Sequence, residues 1–160
     1  GLAMRVCLDT YATGGIRPPI AREALGSYAP AVYQRLLQTP GIFILVAEQQ
    51  GHLVGFAQVT MGTTHTLVDH PAPAELDRLY VQEPFTGRRL GQALLHAAEH
   101  EAARRGAGLL WLTPWVHNHR ARHFYAREDY ADVGLTWFEF EGERHENRLL
   151  TRPLQPRHAL

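Results

Sequence analysis

One stretch constrains this chain more than any other: Ala74–Leu95, AELDRLYVQEPFTGRRLGQALL. Its first part, Glu75–Val81, reads as a β-strand, and its last part opens an amphipathic helix. A short loop marked by Pro84 and Gly87 lies between them. A chain builds an anion site from its own backbone in this way. The strand fixes the loop, the loop turns N–H groups inward, and the helix N-terminus adds partial positive charge. Arg88 and Arg89 sit in the turn. The segment predicts a phosphate or diphosphate ligand; the bland reading of the arginine pair is a solvated charged turn.

The rest of the chain supplies a frame around that segment. Leu2–Tyr11 reads as a short helix and Thr13–Pro19 as a loop broken by Gly14-Gly15 and Pro18-Pro19. Ile20–Gln38 reads as one or two short helices interrupted near Pro30. Ile42–Glu48 is an apolar run fit for a buried strand, and Leu53–Met61 is its hairpin partner across Gln50-Gly51. Thr63–Pro73 is a polar loop long enough to shape a pocket rim. Arg89–Arg105 is a helix with the stripe Leu90, Leu94, Leu95, Ala98 and Ala102, and Gly106 stops it. Gly108–Thr113 is a short buried strand, and Asn118–Arg127 is a helix with Asn118 as N-cap. Val133–Phe140 and Leu149–Leu154 form a last strand pair around a charged turn at Glu141–Glu146. The order predicts an α/β layer fold with a mixed sheet, in one domain over residues 1–160.

Composition narrows the partners. Acidic and basic residues balance at 16 each, so no net field favours nucleic acid or an anionic membrane. No apolar run approaches the ~18 residues of a membrane span. Cys7 is the single cysteine, which excludes an internal disulfide and fits a reducing cytoplasm. There is no Gly-Lys-Ser/Thr after the loop and no Rossmann glycine triplet, which disfavours other nucleotide-binding classes.

Two motifs then resemble one family, the GCN5-related N-acetyltransferases (GNAT). The first is an acetyl-CoA motif in which Gln/Arg-x-x-Gly-x-Gly/Ala opens a helix after a strand. Here Leu79-Tyr80-Val81 ends the strand, Thr86-Gly87-Arg88-Arg89-Leu90-Gly91 fills the motif, and Gln92-Ala93-Leu94-Leu95 follows. Thr86 replaces Gln/Arg and Arg89 replaces the first motif glycine. A two-residue shift gives the literal match Arg88-x-x-Gly91-x-Ala93, but the unshifted register preserves the distance from the strand. The second motif is Asn-x-x-Ala-x-x-Phe-Tyr ending in Gly-Phe. It stands here as Asn118-x-x-Ala121-x-x-Phe124-Tyr125, with Asp129-Tyr130 at its end. Asn118, Ala121 and Tyr125 fall on one helical face. The resemblance runs from about Leu2 to Leu154 and implies a mixed, mostly antiparallel twisted sheet flanked by helices; the family usually has a further strand before the first helix, and none is seen here, so either that strand is missing or another segment takes its edge. Trp111-x-x-x-Trp115-x-x-Asn118 and the final hairpin resemble the bacterial polyamine (spermidine/spermine) branch, although His117 stands where many of its members carry an acid.

The resemblance implies a co-substrate, acetyl-CoA, and an acceptor that is a small-molecule amine or a peptide amine. Such a transfer needs a neutral amine, a stabilised oxyanion and a proton for the leaving thiolate. The family assigns the oxyanion donor to the backbone near Val81 and the acid to Tyr125, whose ordinary pKa of about 10 makes it a donor at neutral pH. The alternative for Tyr125 is a core aromatic. Glu75 is the candidate base, with Asp77 beside it; Glu75, Asp77, Leu79 and Val81 are expected on one strand face. The alternative is a solvated strand-end acid. Cofactor contacts are expected from Leu79, Val81, Thr86, Gly87, Arg88, Arg89, Gly91, Gln92, Asn118, Ala121 and Tyr125. Arg89 would strain the loop if φ > 0 is required there, or else add a cation to the phosphates.

No metal is expected. His117, His119 and His123 straddle a loop and a helix start without an acid or Cys to complete a set, so they read as surface histidines. His65 and His70 stand as substrate-side groups or as plain loop residues. Trp111, Trp137 and Phe138 read as core, and Trp115 as a face for a cationic amine. A homodimer is expected from exposed sheet edges. The second functional reading is a non-catalytic acyl-CoA-binding module of the same fold, motivated by Arg89 and Asp129-Tyr130.

Overall fold

The computed structural model describes residues 1–82, 85, 87 and 89–155. Among them the elements are α1 (Leu2–Tyr11), α2 (Pro18–Ser27), α3 (Pro30–Gln38), β1 (Ile42–Gln49), β2 (His52–Met61), β3 (Pro73–Val81), α4 (Leu90–Arg104), β4 (Leu109–Leu112), α5 (His119–Arg127), β5 (Ala131–Phe140) and β6 (Glu143–Pro153). The strands form one sheet in the order β1-β2-β3-β4-β6-β5. β3 and β4 run parallel, while β4–β6 and β5–β6 are antiparallel, so the sheet is mixed as expected. No described helix is long and apolar enough to cross a membrane. Two compact units are distinguished, Gly1–Val59 with Arg78–Ala98, and Thr60–Asp77 with Glu99–Leu160.

In the first unit, Pro18 and Pro19 do not lie in the expected loop. They occupy the first turn of α2, where a missing N–H is no loss and the fixed φ suits a helix. Pro30 does the same for α3 and thereby separates the two helices. Ala3, Cys7, Tyr28 and Phe56 form a buried cluster, closed by Leu2, Met4, Tyr33, Ile44 and Tyr80. The β1–β2 hairpin turns through Gln50 and Gly51, both at positive φ (51° and 79°), the pattern that matches strand twist in a two-residue turn. Residues 54–59 of β2 are all buried, as a central strand covered on both faces requires. Gly55 is one place where glycine is obligatory. A Cβ there would lie 2.9 Å from the Tyr80 carbonyl oxygen and 3.0 Å from Leu94 Cδ1. No strand precedes α1 among the described elements, in line with the sequence, and β1 takes the outer position beside β2.

In the second unit, β3 pairs with β4 through Pro73↔Leu109, Ala74↔Leu110 and Glu75↔Trp111, and β3 continues beyond that ladder. The final hairpin corrects the sequence reading. Its turn is only Glu141-Gly142, at φ 47° and 78°, and the charged residues expected in a turn belong to strand β6. Glu139 faces Arg144 and Trp137 faces Glu146 across the pair, so these charges are the solvent side of a ladder. Trp137 and Phe138 are likewise not core. They are 46% and 51% exposed on β5, the outermost strand, with the Arg144 guanidinium 4.2 Å over the Trp137 ring. Trp111 is core as expected, and its indole N–H donates to the Thr63 carbonyl.

Candidate active site

The strand–loop–helix segment begins with half-buried Leu79 and Val81. The Gln82 N–H then donates to Val54 O, and the Phe85 N–H to Gln82 O, which bends the chain out of the strand. Gly87 follows at φ 76° and Arg89 at φ 59°. Helix α4 starts at Leu90, one residue later than expected, because Arg89 is left-handed and its carbonyl accepts the first intrahelical bond, from the Ala93 N–H. The first-turn N–H groups of Leu90, Gly91 and Gln92 therefore come at the positive end of the helix. The condition attached to Arg89 in the sequence is met: its φ is positive. Thr86 and Arg88 lie outside the described residues.

Glu75 and Asp77 stand on β3 in the second unit, both half-buried. Burial first, and the Asp77 charge second, push the Glu75 carboxyl up to about 7. Asp77 Oδ2 accepts a 2.6 Å hydrogen bond from Thr60 Oγ1.

Asn118 caps α5 as read from the sequence: its side-chain oxygen accepts from the Ala121 N–H at 3.2 Å. Tyr125 is 6% exposed and packs edge-on against Phe124 and Tyr130. The helix ends in a left-handed turn, with Asp129 at φ 66°, the Tyr130 N–H on Tyr125 O and the Asp129 N–H on Ala126 O. Asp129, like Arg89, stands where the resembled motif has glycine, and both take a positive φ. Tyr130 is anchored by a hydroxyl bond to Glu99, which also pairs with Arg152.

Sequence reasoning missed what holds the approach to α5. The Asn147 amide donates to Thr113 O, and the N–H groups of Val116 and Arg148 bond to Glu146 O and Pro114 O, so this stretch lies along β6. Asn147 had no signal because it sits among charges that resemble a turn. Trp115 and His117 rings meet edge-on, and His117, His119 and His123 are exposed. His65 is tied to Thr136 and rests against Trp111, while His70 fills the space over Gly108. Among the described residues no group of three or more side chains is assembled to hold a metal.

The chain thus has a mixed α/β sheet of this order, a positive-φ loop before α4, and an Asn-capped helix carrying a buried tyrosine. The profile of the Acetyltransferase (GNAT) family matches residues 16–130. An uncharacterized N-acetyltransferase of Mycobacterium tuberculosis is 30% identical over 135 residues, 81% of each chain. The solved structure of a GCN5-related N-acetyltransferase from Rhodopseudomonas palustris superposes with a TM-score of 0.68 at 26% identity, over 96% of this chain and 87% of that one. The PaiA N-acetyltransferase of Thermoplasma acidophilum, solved with coenzyme A, gives a TM-score of 0.70 at 20% identity, over 95% and 88%. The chain belongs to the GNAT family and is an acetyl-CoA-dependent N-acetyltransferase.

Proposed function

We propose that this domain, residues 1–160, moves the acetyl group of acetyl-CoA onto a primary amine of a small molecule or peptide by direct attack. The observation that carries the mechanism is Glu75, a half-buried carboxyl held near 7 by burial and Asp77. A base poised there is about half ionised at neutral pH and well matched to take a proton. The amine nitrogen bonds to the thioester carbonyl carbon, its proton passes to Glu75 directly or through water, and the C–S bond breaks as Tyr125 protonates the thiolate. Asp77 supports Glu75 and is the second candidate for the base. The Val81 N–H faces the developing oxyanion. The diphosphate is held by the loop and first turn at Thr86, Gly87, Arg88, Arg89, Gly91 and Gln92, with Leu79 along the strand. Asn118, Ala121 and Tyr125 border the remainder of the cofactor. A cytoplasmic location fits the single, buried, free Cys7.

Thiol release from acetyl-CoA, followed across amino acids, peptides, polyamines and aminoglycosides, tests the reading. Turnover of at least one amine is expected, with Tyr125→Phe lowering kcat roughly 10²-fold or more, as loss of a positioned acid does. Tight CoA binding without turnover of any amine would leave the non-catalytic module as the better account. An unchanged kcat in Tyr125→Phe removes Tyr125 as the acid.

A further inference from the structure

Glu75 and Asp77 stand two residues apart on β3, and both are half-buried. The Asp77 charge acts on Glu75, so the two carboxyls do not ionise independently. One carries the charge while the other holds its proton longer. Only the second kind serves as a base near neutral pH, and burial alone does not choose between two half-buried acids on one strand.

The second unit holds one donor that distinguishes them. Thr60, near the end of β2, donates from Oγ1 to Asp77 Oδ2 at 2.6 Å. A threonine hydroxyl has one hydrogen to give, so the bond to Asp77 leaves none for Glu75. A hydrogen bond donated to a carboxylate favours its ionised form and is stronger than one to a neutral acceptor. Among the described residues no hydrogen bond or ion pair reaches the Glu75 carboxyl, which feels burial and the Asp77 charge. Its neighbour across the ladder is the neutral Trp111, whose indole N–H goes to Thr63 O. The His65 ring, packed against that indole, turns its two nitrogens to Thr136 Oγ1 and the Leu67 N–H. The direction of the Thr60 hydroxyl is preset as well. A β-branched side chain has few rotamers, and the Gly62 N–H on Pro73 O ties the end of β2 to the start of β3.

We propose that Thr60 is a positioning residue for the transfer: its hydroxyl fixes Asp77 as the ionised member of the acid pair and so leaves Glu75 as the member that takes the proton of the attacking amine. The amine nitrogen gives that proton to a Glu75 carboxylate oxygen, and Thr60 keeps its own hydrogen throughout. This role rests on the N-acetyltransfer reading above, with its base in the acid pair. It is tested by carbon-13 titration of the Glu75 and Asp77 carboxyls in the full chain, beside kcat/KM profiles over pH. The proteins are wild type, Thr60→Ser, Thr60→Val, Asp77→Asn and the double variant Thr60→Val/Asp77→Asn. In wild type Asp77 loses its proton at lower pH than Glu75. Thr60→Val weakens Asp77 as an acid about tenfold in its ionisation constant, the worth of one hydrogen bond to a charged group. With Asp77 no longer held beside Glu75, the rate limb moves to lower pH, by no more than in Asp77→Asn. Thr60→Ser restores both titrations, and the double variant matches Asp77→Asn, since Thr60 acts through Asp77.

A merely structural role for Thr60 would lower kcat/KM at every pH, leave both carboxyl titrations in place and add its loss to that of Asp77→Asn. That pattern overturns the proposal, and so does a wild type in which Asp77 titrates above Glu75. Where Thr60→Val does not fold, Thr60→Ala takes its place. The titrations need no turnover, so they separate this role from the reaction assignment. If no amine is acetylated, or the limb persists in Glu75→Gln, while Thr60→Val still shifts the Asp77 titration, the base assignment fails and the Thr60–Asp77 relation stands. If Glu75→Gln loses the limb and the Asp77 titration is the same in Thr60→Val as in wild type, the base stands and the role of Thr60 falls.

Discussion

Asp77 lies two residues beyond Glu75 on β3, and its charge adds to burial in holding the Glu75 carboxyl near 7. Asp77 is itself fixed by Thr60. The rate should therefore follow Glu75 ionisation, with kcat/KM rising with pH through a limb near 7. Asp77→Asn removes the smaller of the two causes, so the limb should move to lower pH but stop well short of the ordinary carboxylate range. Glu75→Gln should lose the limb and about 10²–10⁴-fold in rate. A kcat/KM profile from pH 5.5 to 9 reads all three. A limb unmoved by Glu75→Gln assigns it to another group.

The same shift has a stability consequence of definite sign. Glu75 holds its proton more tightly folded than unfolded, so its contribution is fully present below the unfolded pKa of about 4.3. It is lost as pH rises from there through about 7. Above pH 7 the folded state carries the cost of a half-buried charge. Glu75→Gln should be the more stable protein at pH 8, by of order 1–2 kcal/mol after allowance for partial exposure, and should show no advantage at pH 4. Urea unfolding midpoints at the two pH values check this. A constant offset between them would mean that packing, not charge, sets the difference.

Most of the frame was legible because its punctuation is local. Gln50-Gly51, Asn118 and Gly106 each act through the few residues beside them, and each does what its type predicts. The misreadings share another cause. Pro18-Pro19 break a helix interior but favour its first turn, and sequence does not say which side of a boundary a proline occupies. Residues 143–146 look like a turn because they are charged, yet an outer hairpin tolerates charge on its solvent face. Trp137 and Phe138 look like core because they are aromatic, but edge position overrides composition. Among the candidate site residues, Asn118 makes the cap that its motif implies. The contacts of Arg78 had no motif, since Tyr28, Tyr33 and Gln58 are distant from it in sequence.

Asp129 offers a clean test of backbone strain. It sits at φ 66° just past α5, in the same capping arrangement that Gly106 makes past α4 at φ 101°. A left-handed conformation costs a side-chain-bearing residue about 1–2 kcal/mol, less for Asp, whose short polar group is better tolerated there. Asp129→Gly relieves that strain but gains a similar amount of unfolded-chain entropy, so Tm should hardly move and kcat should be unchanged. Gly106→Ala should lower stability by about 1 kcal/mol. A lower Tm in Asp129→Gly would show that the carboxylate, rather than the φ angle, governs this corner.

Arg89 raises the same question in the loop before α4, where strain and charge oppose each other. Its φ of 59° is the conformation that a glycine would take at no steric cost, and its side chain is exposed. Replacing it with glycine removes about 1 kcal/mol of left-handed strain, offset by a similar gain in unfolded-chain entropy, so stability should hardly move. The loop shape should also persist, because glycine adopts that φ freely. What Arg89→Gly removes is the cation at the mouth of the α4 N-terminus. If Arg89 supplements the backbone on the phosphates, KM for acetyl-CoA should rise about tenfold or more while kcat stays near wild type, and the salt dependence of KM should weaken. Arg89→Ala loses the charge and keeps the strain without the added unfolded-chain entropy, so it should match the glycine variant in KM and lie close to it in Tm. Initial rates at two ionic strengths, with thermal melts of both variants, measure these effects. An unchanged KM in Arg89→Gly would make the arginine a solvated turn residue and leave the diphosphate to the N–H groups of the loop and of the first turn of α4.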